Sequence, residues 1–166
     1  MPSLIYTEAT IDDLPEIVEI YNSTVASRMV TADTEPVKVA DRIEWFYKHN
    51  LKRPLWVIRN EESATVGWVS FQSFYGRPAY YATVEISIYL DPAQRSKGYG
   101  KLILAHCIKC ASSLDIKTLL GFIFGHNEPS LRLFKHFGFE DWATLPNVAV
   151  LDGVERSVKI LGKRVG

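Results

Sequence analysis

Apolar positions change their period several times along the chain, and each change predicts an element. Leu4 to Glu8 reads as a short strand, and Thr10-Ile11-Asp12-Asp13 then offers a Thr cap with an acid three residues on, close to a capping box. Leu14, Ile17, Val18, Ile20 and Tyr21 recur at helical spacing, a pattern that decays after Val25. Pro36 begins a second helical stretch, with Val39, Ile43 and Phe46 on one side and an end near Asn50. The connector between them, Arg28 to Glu35, mixes polar and apolar groups. From Leu55 the period shortens to that of strands, at Leu55 to Ile58, Val66 to Phe74 and Thr83 to Leu90. The last alternates through Val84, Ile86, Ile88 and Leu90, so Glu85, Ser87 and Tyr89 share its opposite face. A helix from Gly98 to about Ser113, a strand from Thr118 to Phe124, a helix from Pro129 to His136 and closing strands around Phe139 and Val158 complete the order. A strand, two helices, an antiparallel meander and an alternating half predict an α/β (α+β) fold, a mixed sheet flanked by helices. No linker or repeat divides the chain, and residues 1–166 are read as a single domain.

Composition narrows the function. Nineteen basic and 19 acidic side chains cancel, so no global field draws in nucleic acid or an anionic membrane, and any anion site has to be local. No apolar run approaches the ~20 residues of a bilayer span, and Met1-Pro2-Ser3-Leu4 lacks the basic start of a signal peptide, so the chain is read as cytoplasmic. Cys107 and Cys110 form a C-x-x-C pair, but inside a predicted helix rather than at the strand-to-helix junction of a redox pair. His106 alone does not complete a zinc site, so both thiols are read as packing groups and no metal is expected.

The stretch richest in chemistry is Leu90-Asp91-Pro92-Ala93-Gln94-Arg95-Ser96-Lys97-Gly98-Tyr99-Gly100-Lys101, a strand end, a turn, two glycines and a helix start. Successive N–H groups at a helix N-terminus converge on an anion, and glycine lets the backbone come close. Ile103 stands where a dinucleotide fingerprint wants a small residue, and Leu102 where a Walker loop wants Ser or Thr, which excludes both. Spacing alone leaves two readings of Gly98-x-Gly100, an anion cradle or a tight turn into a helix, and two of Glu85, a reactive carboxylate or a salt-bridged strand acid.

Arg95-Ser96-Lys97-Gly98-Tyr99-Gly100 resembles the R/Q-x-x-G-x-G/A loop of the GNAT superfamily of acyl-CoA-dependent N-acyltransferases. Asn127-Glu128-Pro129-Ser130-Leu131-Arg132-Leu133-Phe134-Lys135-His136-Phe137-Gly138-Phe139 resembles its second signature, and the two, together with the helix-strand order, cover nearly the whole chain. Glu19-Ile20-Tyr21-Asn22, Asp33-Thr34-Glu35-Pro36, Trp45-Phe46 and Thr83-Val84-Glu85 are similar to the phosphinothricin and methionine-sulfoximine acetyltransferase branch, as are, more loosely, Leu145-Pro146-Asn147 and Leu151-Asp152-Gly153.

The resemblance implies a mostly antiparallel sheet with splayed central strands, and acetyl-CoA as co-substrate. Its pyrophosphate would lie on the amides of Arg95, Ser96, Lys97, Gly98, Tyr99 and Gly100, with its pantetheine arm between Glu85–Leu90 and Leu119–Phe124. N–H groups near Ile86, Ser87 and Ile88 would face the developing oxyanion, Glu85 would be the general base, and Asn127 and Ser130 would touch the cofactor, Asn127 while also capping its helix. Phe134 departs from the pattern: many relatives carry Tyr there and phosphinothricin-type ones often His, so a water protonates the thiolate or it leaves unassisted. His126 and His136 do not match that position and are read as structural or exposed. Phe74, Tyr75, Arg77 and Thr83 would bound the acceptor site, with Tyr80 as a further apolar wall and Arg77 or Arg28 pairing with a carboxylate. The activity implied is acetyl transfer to the α-amine of a small amino-acid analogue, by direct attack in a ternary complex, with no metal, nucleic-acid or membrane partner. Polyamine, aminoglycoside or peptide acceptors, and a non-catalytic acyl-CoA-binding module, stay open. A homodimer is expected, because this branch commonly pairs subunits and Arg156 to Leu161 reads as an edge strand that would otherwise lie exposed.

Overall fold

A strand whose neighbours part company along its length determines where chemistry can occur in this fold. The computed structural model describes residues 3–166; Met1 and Pro2, half of the segment read against a leader peptide, lie outside the described residues. Seven strands, β1 (Ile5–Glu8), β2 (Leu55–Arg59), β3 (Thr65–Ser73), β4 (Thr83–Leu90), β5 (Thr118–Phe124), β6 (Glu140–Leu151) and β7 (Val154–Arg164), form one sheet in the order β1-β2-β3-β4-β5-β7-β6. Every neighbouring pair is antiparallel except β4 and β5. β3 and β4 stay in register from Gly67↔Leu90 to Ser73↔Val84, whereas β4 and β5 are paired only from Thr83↔Thr118 to Glu85↔Leu120. Beyond Glu85 the two central strands splay, and β4 keeps one ladder edge while the other is left open.

Side-chain alternation sends the two faces of the sheet to two cores. Val69, Phe71, Val84 and Ile86 pack against Ile103, Leu104 and Cys107 of helix α3 (Tyr99–Cys110) and Leu131 and Phe134 of helix α4 (Glu128–His136). Leu55, Val57 and Trp68 pack on the other face against Leu14, Ile17, Val18 and Ile20 of helix α1 (Leu14–Asn22). The Thr10 N–H donates to Asp13 Oδ2 at 2.8 Å, closing the capping box expected before α1. Cys107 is buried, Cys110 is half-buried and both thiols are free, as expected of packing groups. Among the described residues no helix is long and apolar enough to cross a membrane.

Two expectations are corrected. The second helix is far shorter than Pro36 to Asn50: a 3-10 turn at Val39–Arg42 leads into α2 (Ile43–Tyr47). The Asn22 side chain holds Val37 by both of its backbone groups, at 2.8 and 2.9 Å, so the chain stays out of the helix until Lys38 caps it. The edge strand is β6, not Arg156 to Leu161: the chain turns at Asp152-Gly153, both at positive φ, and β7 inserts between β5 and β6.

Candidate active site

Three cross-strand pairs, Gln72↔Glu85, Ser70↔Ser87 and Trp68↔Tyr89, put six side chains on one face of β3 and β4. All six line a pocket of about 280 Å³, walled by Ile17, Val18 and Tyr21 of α1 and by Arg42 and Trp45. Trp68 stacks on Tyr89 with ring centroids 4.6 Å apart, and its indole N–H donates to the Ile17 carbonyl at 3.1 Å, locking α1 to the floor. The Glu85 carboxyl has no hydrogen bond and no ion pair to any described residue, and burial raises its pKa above the ordinary 4.5. Desolvation without a compensating partner favours the neutral acid, which gives the carboxylate a greater appetite for a proton. Arg42 donates through Nη2 to Asp33 Oδ2 at 2.9 Å, and its guanidinium sits 5.1 Å from the Tyr21 ring centroid. The Tyr21 hydroxyl completes the group by hydrogen-bonding Asp33 and Thr31. The pocket thus carries one unpaired anion and one cation tied to an acid at its wall.

Across β4 lies a narrower cleft of about 170 Å³, which the splay creates. Ile86, Ser87 and Ile88 line one side and Gly121, Phe122 and Ile123 the other, with Asn127, Ser130 and Phe134 above them. Ser87 and Tyr89 line both the pocket and the cleft, so the two spaces meet at these side chains. A Cβ on Gly121 would come within 2.7 Å of Phe134 Cε2, so glycine is what lets that ring lie against β5. At the cleft's outer end Asp91 accepts from the Ala93 N–H at 2.8 Å, and the chain then passes through Ser96 (φ 62°) and Gly98 (φ 82°) into α3. The N–H groups of Ser96, Lys97 and Gly98 have no protein acceptor among the described residues and precede a helix of 12 residues. Fixed, unsatisfied donors at a helix N-terminus are an anion site in waiting. Asn127 is buried and accepts the Ser130 N–H at 3.3 Å, the cap expected of it.

The structure brings Glu85, Ile86, Ser87, Ile88, Gly100, Asn127 and Ser130 to these two spaces. Arg95 bonds the Ser23 hydroxyl and the Leu90 carbonyl, which ties the loop to α1, while Lys97 bonds Gln94. Tyr75, 78% exposed, lines a third depression of about 400 Å³ that also reaches Glu85. Phe74 packs on Tyr75 and Tyr80, Arg77 is exposed on the same rim, and Thr83 starts β4; none of the three lines the acceptor-sized pocket. Arg28 is engaged by Asp152 at 3.0 Å and by the Thr34 carbonyl at 2.8 Å. The His126 Nε2 bonds the Arg28 carbonyl at 2.8 Å, and His136 is exposed. Tyr21, Arg42, Ser70 and Gln72 were not singled out from sequence. For Ser70 and Gln72 the signal was there, in the period of two that places them opposite Ser87 and Glu85.

The model of the acetyltransferase (GNAT) domain family matches residues 3–140. This chain belongs to the GNAT acetyltransferase family. YwnH of Bacillus subtilis, whose name marks a phosphinothricin acetyltransferase activity as unproven, is 52% identical over 153 residues, covering 92% of this chain and 94% of that protein. The L-methionine sulfoximine/L-methionine sulfone acetyltransferase of Pseudomonas aeruginosa is 29% identical over 142 residues, covering 85% and 83%. The crystal structure of a GNAT superfamily phosphinothricin acetyltransferase from Sinorhizobium meliloti with AcCoA superimposes with a TM-score of 0.89 at 27% identity, covering 99% of this chain and 89% of that one. This protein is an acetyl-CoA-dependent N-acetyltransferase, similar to proteins named phosphinothricin acetyltransferases. Its residues fit the group: the cleft along the open edge of β4 is largely apolar, Gly100 of α3 lines it, and the unsatisfied amides of Ser96 to Gly98 just before that helix suit an anion.

Proposed function

We propose that the enzyme acetylates the α-amine of a small amino-acid analogue, of the phosphinothricin, methionine-sulfoximine or methionine-sulfone type, by direct attack in a ternary complex. The observation that carries this reading is Glu85, partly buried and unpaired in a pocket that also holds the Arg42 guanidinium. An amino acid needs one anionic and one cationic subsite in a small volume, and about 280 Å³ sits near the low end of small-molecule sites. Neither Arg28 nor Arg77 lines this pocket, which passes the carboxylate role to Arg42.

Acetyl-CoA supplies an activated acyl thioester whose thiol, with a pKa near ~8.5, is a fair leaving group without a protein acid. The amides of Arg95, Ser96, Lys97, Gly98, Tyr99 and Gly100 hold its phosphates, and Asn127 and Ser130 flank its arm. Glu85 attracts the ammonium and removes its proton, freeing the lone pair. The N–H groups of Ile86 and Ile88, which face the open edge while that of Ser87 faces β3, stabilise the oxyanion. Phe134 donates nothing and serves as an apolar wall that excludes water. Phe74, Tyr75, Arg77 and Thr83 shape the outer rim on the Glu85 side. Residues 1–166 act as one domain built on one sheet, in the cytoplasm, as the two free thiols favour. A second copy covers the β6 edge, where Trp142, Val148 and Val150 are exposed.

The test is release of free thiol from acetyl-CoA across a panel of phosphinothricin, methionine sulfoximine, methionine sulfone, ordinary amino acids, polyamines and peptides. Turnover concentrated on the methionine-like acids is the expected result. Turnover confined to polycations or peptides would overturn the assigned acceptor.

A further inference from the structure

One polar pair at the pocket wall has no part in the reading above. Ser70 is 2% exposed, lies on β3 between the Glu85 and Tyr89 ends of the floor, and stands 2.7 Å from His49 Nε2 through its hydroxyl. The other ring nitrogen of His49, Nδ1, is 3.1 Å from the Phe46 carbonyl oxygen. A carbonyl only accepts, so Nδ1 carries the proton. Burial lowers the pKa of His49 and keeps the ring neutral at pH 7, which leaves Nε2 as an acceptor. The Ser70 hydroxyl must then spend its only proton on His49. The ring is held for this by an edge contact with Trp45, centroids 4.9 Å apart, itself packed edge-on against Trp68 at 5.5 Å.

We infer that Ser70 is a second amine-binding group of this site, and that His49 is the positioning residue that fixes the Ser70 hydroxyl as an acceptor toward the pocket. With its proton turned to His49, the Ser70 oxygen presents lone pairs to the pocket and none of its own hydrogen. An incoming ammonium has three N–H bonds: Glu85 takes the proton that must leave, and Ser70 accepts a second, which fixes the rotation of the nitrogen about its bond to carbon. The Ser70 bond thereby holds the nitrogen beside Ser87, where pocket and cleft meet. A hydroxyl free to rotate would present a hydrogen to the cation as readily as a lone pair. The inference rests on the proposed acceptor reading in needing an amine at this pocket, but not in which amine.

Two measurements test it. In ¹⁵N-labelled wild-type enzyme, imidazole spectra at pH 7 are expected to show His49 as the Nδ1–H tautomer, with an Nε2 resonance that moves in Ser70→Ala. In steady-state kinetics, Ser70→Ala is expected to lower acceptor kcat/KM about tenfold or more, the scale of one hydrogen bond to a charged group, with KM for acetyl-CoA unchanged. His49→Leu should give the same acceptor-specific loss, the two changes should not add, and His49→Gln, which can accept through its side-chain oxygen, should recover part of it. An Nε2–H tautomer, an unchanged acceptor kcat/KM in Ser70→Ala, or equal losses for amine and acetyl-CoA would overturn the inference. Silence of wild-type enzyme across the amine panel would instead overturn the acceptor reading, while the ring tautomer and its response to Ser70→Ala still decide the hydrogen-bond direction.

Discussion

Replacing Glu85 by Gln should damage the reaction and stabilise the fold, and the two effects have one cause. The side chain lines the pocket without a hydrogen bond or ion pair to a described residue, and burial raises its pKa above the ordinary 4.5. A positioned general base contributes about 10²–10⁴-fold, so acceptor kcat should fall by at least about 100-fold, or about 2.7 kcal/mol of barrier at 1.36 kcal/mol per decade. For stability the sign follows from proton uptake. The folded state holds its proton to higher pH than the unfolded chain, so Glu85 destabilises the fold increasingly as pH rises from 4.5 through its folded value, and does not do so below 4.5. Gln keeps the shape and removes the charge. Stabilising changes of this kind are worth about 0.5–2 kcal/mol, and 1 kcal/mol moves Tm by about 2–4 °C in a chain of this size. The assay is thiol release alongside thermal melts at about pH 5 and about pH 8, where the Tm gain of Glu85→Gln should be larger at the higher pH. Activity within threefold of wild type would refute the base assignment. A Tm gain that is absent, or independent of pH, would refute the desolvation argument beneath it.

The remaining expectations concern the cradle, the cleft, the acid subsite and the edge. Gly98→Ala forces a Cβ into φ 82°, at a cost of about 1–2 kcal/mol, and should raise KM for acetyl-CoA with little change in acceptor KM; the opposite pattern would move the phosphate site elsewhere. Gly121→Ala sets a methyl 2.7 Å from Phe134, and overpacking of this kind costs about 1–3 kcal/mol, readable as a lower urea midpoint. Arg42→Gln should raise the KM of an amino acid about tenfold, the scale of one charged hydrogen bond, and leave that of its amide unchanged; equal effects on both would remove Arg42 from substrate recognition. Val148→Lys together with Val150→Lys should convert a dimer to a monomer by light scattering, and a wild-type chain already monomeric at micromolar concentration would contradict pairing through β6.

Much of this was legible along the chain because it is local. β4 is bounded as its alternation predicts, since a strand with one face on each core needs a period of two, and that period also assigns Glu85, Ser87 and Tyr89 to one side. The loop before α3 was legible because glycine has few other uses at a strand-to-helix turn. What escaped was decided at a distance. Asn22 delays the second helix across 15 residues, and no local pattern announces a side-chain amide that pins another segment's backbone. The insertion of β7 is settled by pairs such as Phe122↔Ile160, so the strand nearest the end of the chain is interior and β6 takes the edge. Arg42 was passed over for Arg28 and Arg77 because an arginine's partner cannot be read from its neighbours: Asp152 claims Arg28 from 124 residues away.

One strand can serve two substrates because its side chains and its backbone point in different directions. Side chains of β4 leave the sheet above and below, whereas its N–H and C=O groups lie in the plane. In the proposed reading the acceptor meets β4 through Glu85, Ser87 and Tyr89 on one face. In the same reading the acyl donor meets it through the ladder edge that β5 abandons after Glu85↔Leu120. Neither demand competes with the other, and neither is free of the fold. β3 must stay paired along the whole of β4 to hold the floor in register, while β5 must leave early enough to open the edge beside the reacting side chains. The last paired residue is also the proposed base, so the proton acceptor stands where the sheet stops being continuous. A change that extended the β4–β5 ladder by even one pair would close the donor cleft without touching a single proposed catalytic side chain.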